Sequence, residues 1–335
     1  MSPQETLARF AASTAMVVGD VMLDAYLWGE VSRISPEAPV PVVRVTGRSA
    51  RLGGAANVAL NLRALGANTI LAGVVGNDAS ATQVEQLLTE QGIDSAGIMR
   101  SHERPTTVKT RVISSHQHVV RVDEEEEEDL SSKEEKLFLE TALHILHERK
   151  PDVLVLEDYD KGVLTPTVIA ALVKEAQTLG IPVAVDPKKR HFFDFHGVDL
   201  FKPNLKELRE GLKTEVDGSN LESVRAATRS LEEKLGNKAS LITLSEHGAY
   251  VHGHSTDRLL PAHHRSIADV SGAGDTVIAV AALCLAAGLP LPLLAAWANL
   301  AGGMVCEHVG VVPIDPVALQ KEAERLNIAV DTARA

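Results

Sequence analysis

What most constrains this chain is the alternation of short apolar runs with helical stretches along nearly its whole length. Runs at 15–19, 70–75, 153–156, 183–186, 200–201 and 241–244 are rich in Val, Ile and Leu and too short for buried helices. They read as buried parallel strands. Between them, 58–65, 81–91, 132–148, 165–179 and 220–235 carry helical spacing, with stops such as Gly66. This alternation predicts an α/β fold: one doubly wound, mostly parallel sheet with helices on both faces, binding ligands beyond the carboxyl ends of its strands. The rhythm breaks at 106–123, which is rich in Val, Thr and Ile and interleaved with Lys109, Arg111, His116, His118 and Arg121. That stretch predicts a hairpin with one wet face. Residues 40–45, β-branched and carrying prolines, suit an edge strand. Together they predict a small β lid, with strands within about 21–50 and 106–123. No repeat or long linker divides the chain, so residues 1–335 read as a single domain.

Composition narrows the functional classes. A net charge of −12 argues against nucleic-acid and membrane-surface partners. Part of that charge lies in the run 123–129, expected to be a solvated loop and helix start. Cys284 and Cys306 lie in apolar surroundings and read as core residues. The N-terminus lacks the basic and apolar regions of a signal peptide. The apolar region 277–305 is broken by Gly288, Pro290 and Pro292, which predicts two buried helices and no membrane span. The expected location is the cytoplasm.

The stretch 269–276, Asp-Val-Ser-Gly-Ala-Gly-Asp-Thr, opens one of those buried helices. Glycines at a helix N-terminus leave backbone N–H groups free for an anion, and Asp275 beside them suits a proton acceptor. Phosphoryl transfer needs both features. A capped helix with a flexible entry loop is the plainer alternative. Asp20 and Asp24 follow the first strand and could hold sugar hydroxyls or cap a turn. Gly53, Gly54 and Asn57 allow close backbone approach to a ligand, although Asn57 also suits a helix cap. In 202–207, Asn204 and Glu207 could hold water around Mg²⁺ or close a capping box. Segment 243–248 is a strand-to-turn element suited to nucleotide phosphate. Lys109, Arg111, Lys161, Lys188, Lys189 and Arg190 are the candidate cations for a substrate phosphate. The histidines, including His252, His254, His263 and His264, show no metal-ligand spacing.

Taken in order, RLGGAANVALNLRALGA, KPNLKEL, TLSEHG and DVSGAGDT make the chain resemble the ribokinase (PfkB) family of carbohydrate kinases, from about residue 17 to 313. The resemblance implies a ribokinase-like three-layer fold with a small β lid that often mediates homodimers. It implies that Asp275 is the base, with the amides of Gly272, Ala273 and Gly274 as the anion hole. It assigns Asn204, Leu205, Lys206, Glu207, Thr243, Ser245 and Gly248 to ATP, with Glu207 reaching Mg²⁺ through water. Gly53, Gly54 and Asn57 match the sugar motif, and Asp24 matches the acid after the first strand. Asp269 matches a position near the family's monovalent-cation site, which implies K⁺. Two departures stand out: GGAAN is one residue shorter than GGKGAN, and Ser245 stands where ribokinases have glycine.

GDVMLDAYLWGEVSRISPEAPVPVV, TTVKTRV, EDYDKGVL and VDPKK resemble the branch of that family that phosphorylates heptose 7-phosphate at the anomeric hydroxyl. The product of that branch is the β-1,7-bisphosphate, a precursor of ADP-heptose in lipopolysaccharide core synthesis. The resemblance assigns Lys109, Arg111, Lys161 and Lys188 to the sugar phosphate and Asp186 to a sugar hydroxyl. Some relatives continue into a nucleotidyltransferase domain with an HxGH motif. No HxGH occurs in this sequence, so a kinase without that second activity is expected.

Overall fold

The structure is a computed structural model that describes residues 1–114 and 117–328. His116 of the expected hairpin lies outside the described residues. The helices are α1 (Pro3–Ala12), α2 (Ala55–Ala64), α3 (Ala79–Glu90), α4 (Ser132–Arg149), α5 (Pro166–Leu179), α6 (Leu205–Leu212), α7 (Leu221–Leu235), α8 (Ala273–Ala286), α9 (Leu291–Val305) and α10 (Pro316–Arg325). The strands are β1 (Thr14–Gly19), β2 (Val21–Ile34), β3 (Pro41–Gly54), β4 (Asn68–Gly76), β5 (Asp94–Ser101), β6 (Thr107–Ser114), β7 (Gln117–Glu124), β8 (Val153–Glu157), β9 (Val183–Asp186), β10 (Leu200–Phe201), β11 (Ala239–Thr243), β12 (Ala249–Gly253) and β13 (Thr256–Leu260).

A nine-stranded sheet runs β13-β12-β11-β10-β9-β8-β1-β4-β5, parallel from β11 to β5 and antiparallel at β12 and β13. Alternate residues of each central strand enter different cores. Val17, Val155, Ala184 and Leu241 pack with α2, α8 and α9, whereas Met16, Leu154, Val185 and Ile242 pack with α4, α5 and α7. Both faces are covered, which is why these strands read as unbroken apolar runs. Burying each Val, Leu, Ile or Met among these contributes roughly 1.5–3 kcal/mol.

Most helices start on a side-chain cap: Asp78 for α3, Ser131 for α4, Thr165 before Pro166 for α5, and Asn220 for α7. Gly54 and Gly272, which precede α2 and α8, offer no side chain for this. Those two helices meet at the site.

The second sheet, β3-β2-β6-β7, is the expected lid, but longer than the sequence implied. β3 runs from Pro41 through Gly54, so the paired glycines close a lid strand instead of lying in a loop. β2 begins straight after Asp20, which puts Asp24 on a lid strand. Edge strands β5 and β13 and helices α1 and α10 carry weaker apolar periodicity and were not expected. Cys284 and Cys306 are buried and unpaired, as expected. Among the described residues, no helix is long and apolar enough to cross a membrane.

Candidate active site

Asp275 lies in the first turn of α8 and is almost fully buried. Its Oδ2 accepts a 2.6 Å hydrogen bond from Asn57 Nδ2 of α2, and its Oδ1 accepts one of 2.8 Å from the Tyr159 hydroxyl. Burial raises its pKa, and these two donors work against that rise. Gly272 sits at φ 77°, and a Cβ there would stand 2.9 Å from Asn57 Nδ2. Glycine thus supplies both the left-handed turn and the room for the amide. Ala273 N–H makes a long 3.3 Å bond to Val270 O, whereas among the described residues the N–H groups of Gly272 and Gly274 are unclaimed.

Beside Gly274 lies a buried ionic group. Lys202 Nζ is 2.8 Å from Asp186 Oδ2, and both atoms are 3.7 Å from where a Gly274 Cβ would stand. Burial disfavours the charge on Lys202, but Asp186 and Glu207 more than offset it, so the ammonium form is held. Lys188 Nζ meets Glu207 Oε1 at 2.6 Å and lies over the Tyr159 ring, 4.9 Å from its centroid. Glu157, at the end of β8, is wholly buried with neither carboxylate oxygen hydrogen-bonded. Burial, then Asp186 and Asp275, push its pKa well above the usual range. Oxygens of Glu157, Asp186 and Asp275 lie within 4.8 Å of one another. The unpartnered oxygens of Glu157 in this cluster would suit a hard divalent cation. Lys202, Tyr159 and Glu157 were not singled out in the sequence; for Lys202 and Glu157 the signal was a charged residue directly after an apolar run.

Among the residues expected to hold ATP, Asn204 and Glu207 close a capping box on α6, the structural alternative for that spacing. Asn204 also forms a parallel bridge to Thr243, which brings the two expected ATP segments together. Lys206 points outward, with Glu210 at 3.9 Å. Leu205 is the first residue of α6. Ser245 adopts φ 55° and Gly248 φ 92° in the turn after β11. Glycine, which ribokinases have at this position, is the residue that conformation favours.

Among the residues expected to hold the sugar phosphate, the buried Asp24 pairs with Arg111, whose side chain also lies over Tyr26. A Cβ on Gly53 would stand 2.4 Å from Asp24 Oδ2, so the glycine lets the acid approach β3. Asp20 has a different use. Its carboxylate accepts N–H bonds from Tyr159, Lys161 and Val163 at 2.7, 3.0 and 3.2 Å, clamping the 158–163 loop. Lys109 and Lys161 are not open cations: Glu125 meets them at 2.6 and 3.0 Å, and Glu127 meets Lys161 at 2.8 Å. The acidic run 123–129 is therefore not simply a solvated loop. Asp269 accepts N–H bonds from Ser271 and Gly310, both 2.9 Å, tying the entry of α8 to the 309–311 loop.

A model of the family described as "pfkB family carbohydrate kinase" matches residues 12–317. The chain is 43% identical over 309 residues to the bifunctional protein HldE of Methylobacillus flagellatus, covering 92% of this chain and 63% of that protein. It is 42% identical over 321 residues to the bifunctional protein HldE of Pseudomonas aeruginosa PAO1, covering 96% of this chain and 65% of that one. The chain thus spans less than two thirds of the length of these relatives. In fold it resembles Escherichia coli phosphofructokinase-2 in complex with potassium (TM-score 0.77, 20% identity, covering 94% of this chain and 99% of that chain). It also resembles Arabidopsis thaliana ribokinase complexed with ribose and ATP (TM-score 0.69, 19% identity, 92% and 99%).

Proposed function

Since the chain belongs to the pfkB family of carbohydrate kinases, phosphotransferases that act on a sugar hydroxyl, we propose that it phosphorylates the anomeric hydroxyl of D-glycero-β-D-manno-heptose 7-phosphate with ATP. The observation that carries this is Asp275, buried at the head of α8 with one donor on each oxygen and unclaimed amides at Gly272 and Gly274. Each carboxylate oxygen keeps a further lone pair for the acceptor hydroxyl. Asp275 takes the proton from that hydroxyl, and the oxygen attacks the γ-phosphorus in line. The bond to the bridging oxygen breaks, and its electron pair leaves with ADP. The α8 amides and Lys202 face the charge that develops on the transferring group. Asn57 and Tyr159 hold the carboxylate in one orientation.

Asp24 with Gly53 and Gly54 lines the sugar side, and Lys109, Arg111 and Lys161 grip the 7-phosphate. Tyr159 and Lys161 lie two positions apart on the loop clamped by Asp20. One loop therefore carries both a hydrogen-bond partner of the base and a cation of the phosphate grip. This supports a sugar phosphate over a free sugar.

Asp186 and Glu157, with Glu207 through water, would hold Mg²⁺, which when bound offsets charge on the ATP phosphates. Asp269 is the carboxylate against which K⁺ would sit. Exposed Val31, Val45, Val120 and Val122 on the lid strands suit a homodimer formed through the lid.

The test is coupled ADP release across heptose 7-phosphate, fructose 6-phosphate, ribose and unphosphorylated heptose. The expected outcome is highest kcat/KM with heptose 7-phosphate. Preference for ribose or fructose 6-phosphate would overturn the substrate and keep the family.

A further inference from the structure

The acidic segment after β7 joins the lid to α4 of the core, and its carboxylates lie across the cations assigned to the substrate's phosphate. Glu125 meets Lys109 through Oε2 at 2.6 Å and Lys161 through Oε1 at 3.0 Å. Glu127 meets Lys161 at 2.8 Å, and Asp123 faces Lys109 at 3.4 Å. Two arginines fasten the same segment. Arg104 donates to the carbonyls of Lys161 and Glu128 at 2.6 and 2.8 Å. Arg190 binds the Glu127 carbonyl, and the Asp129 carboxylate at 3.1 Å. Burial opposes the charge on Glu125, yet Lys109 and Lys161 hold its carboxyl below the usual range. One anion bridging two ammonium groups through separate oxygens is what a phosphate monoester would ask of the same lysines.

We propose that Glu125, assisted by Glu127, is a built-in anion that fills the phosphate subsite until a sugar phosphate displaces it. This rests on the reading of Lys109 and Lys161 as the phosphate grip. A phosphate dianion brings more charge and three oxygens, so it competes for both lysines. A neutral sugar brings nothing that releases the carboxylates, and it gains nothing from the lysines. Because residues 125–131 tie the lid's edge strand to α4, displacing Glu125 also loosens the lid from the core. Phosphate recognition is thereby coupled to lid position. The opposite role, a strut that holds the lysines ready for substrate, makes predictions of opposite sign.

The experiment measures inorganic phosphate binding by calorimetry for the full chain and for Glu125→Gln, with kcat/KM for phosphorylated and free heptose. Glu127→Gln serves as a second variant. Glu125→Gln is expected to bind phosphate about fivefold tighter, the scale of a partly exposed ion pair. It should also raise the kcat/KM ratio of phosphorylated over free sugar by a similar factor. Glu127→Gln should act in the same direction by less. Unchanged or weaker phosphate binding in Glu125→Gln would overturn the proposal, because it would make the residue a strut or a bystander. Tighter phosphate binding with no heptose 7-phosphate turnover would uphold the displaced anion and reject the heptose reading instead.

Discussion

Asn57 Nδ2 donates to Asp275 Oδ2 across 2.6 Å, linking α2 to α8 over 218 positions of sequence. Asn57 follows the glycines that end lid strand β3, and Asp275 follows the glycines that start α8. One hydrogen bond therefore joins the two glycine motifs. Tyr159 completes the geometry from the other side at 2.8 Å.

Removing the hydroxyl of Tyr159 takes one stabilising donor from the Asp275 carboxylate. Its hydrogen bond lowers the pKa of Asp275 against the rise caused by burial. Tyr159→Phe should therefore shift the acid limb of the kcat/KM profile to higher pH and reduce kcat by roughly tenfold, the worth of one such bond. A pH profile that superimposes on the wild type would make Tyr159 a packing residue.

Asp158 gives the chain a pH-dependent stability. Burial, and then Asp20, push its carboxyl from 3.8 up to about 8. Folding thus takes up a proton between these values. This contribution is fully present below about pH 4 and is lost as pH rises towards 8, by at most about 1.4 kcal/mol per pH unit. Urea unfolding of Asp158→Asn should show a flatter dependence between pH 5 and 8 than the wild type. Parallel slopes would count against a protonated Asp158.

Ser245 holds φ 55° where an L side chain is strained. Ser245→Gly should raise unfolding free energy by about 1 kcal/mol, since glycine adopts that region freely. A loss of stability on chemical denaturation would show that the serine side chain contributes more than the strain costs.

The sheet and its central helices were legible because a parallel strand covered on both faces must be apolar along its length, as 153–156 and 183–185 are. Edge strands β5 and β13 were missed because one side of each is wet and their periodicity is weak. The glycine motifs marked where α2 and α8 begin, but no local pattern records that Asn57 reaches Asp275. Lys202 was hidden for a related reason. A lysine in a loop ordinarily reads as solubilising, and only the fold places Asp186 at 2.8 Å from its ammonium group. The run 123–129 misled because acidic stretches are usually solvated, whereas here Lys109 and Lys161 lie against Glu125.

The most direct test of the central claim follows ³¹P signals when wild type and Asp275→Asn are incubated with ATP and D-glycero-β-D-manno-heptose 7-phosphate. The wild type should yield ADP and a sugar with a second phosphate on the anomeric oxygen. Asp275→Asn should bind ATP with similar affinity but transfer phosphate about 10²–10⁴ times more slowly, as expected for loss of a general base. Transfer by Asp275→Asn at the wild-type rate, or a wild-type product phosphorylated at another hydroxyl, would contradict the account.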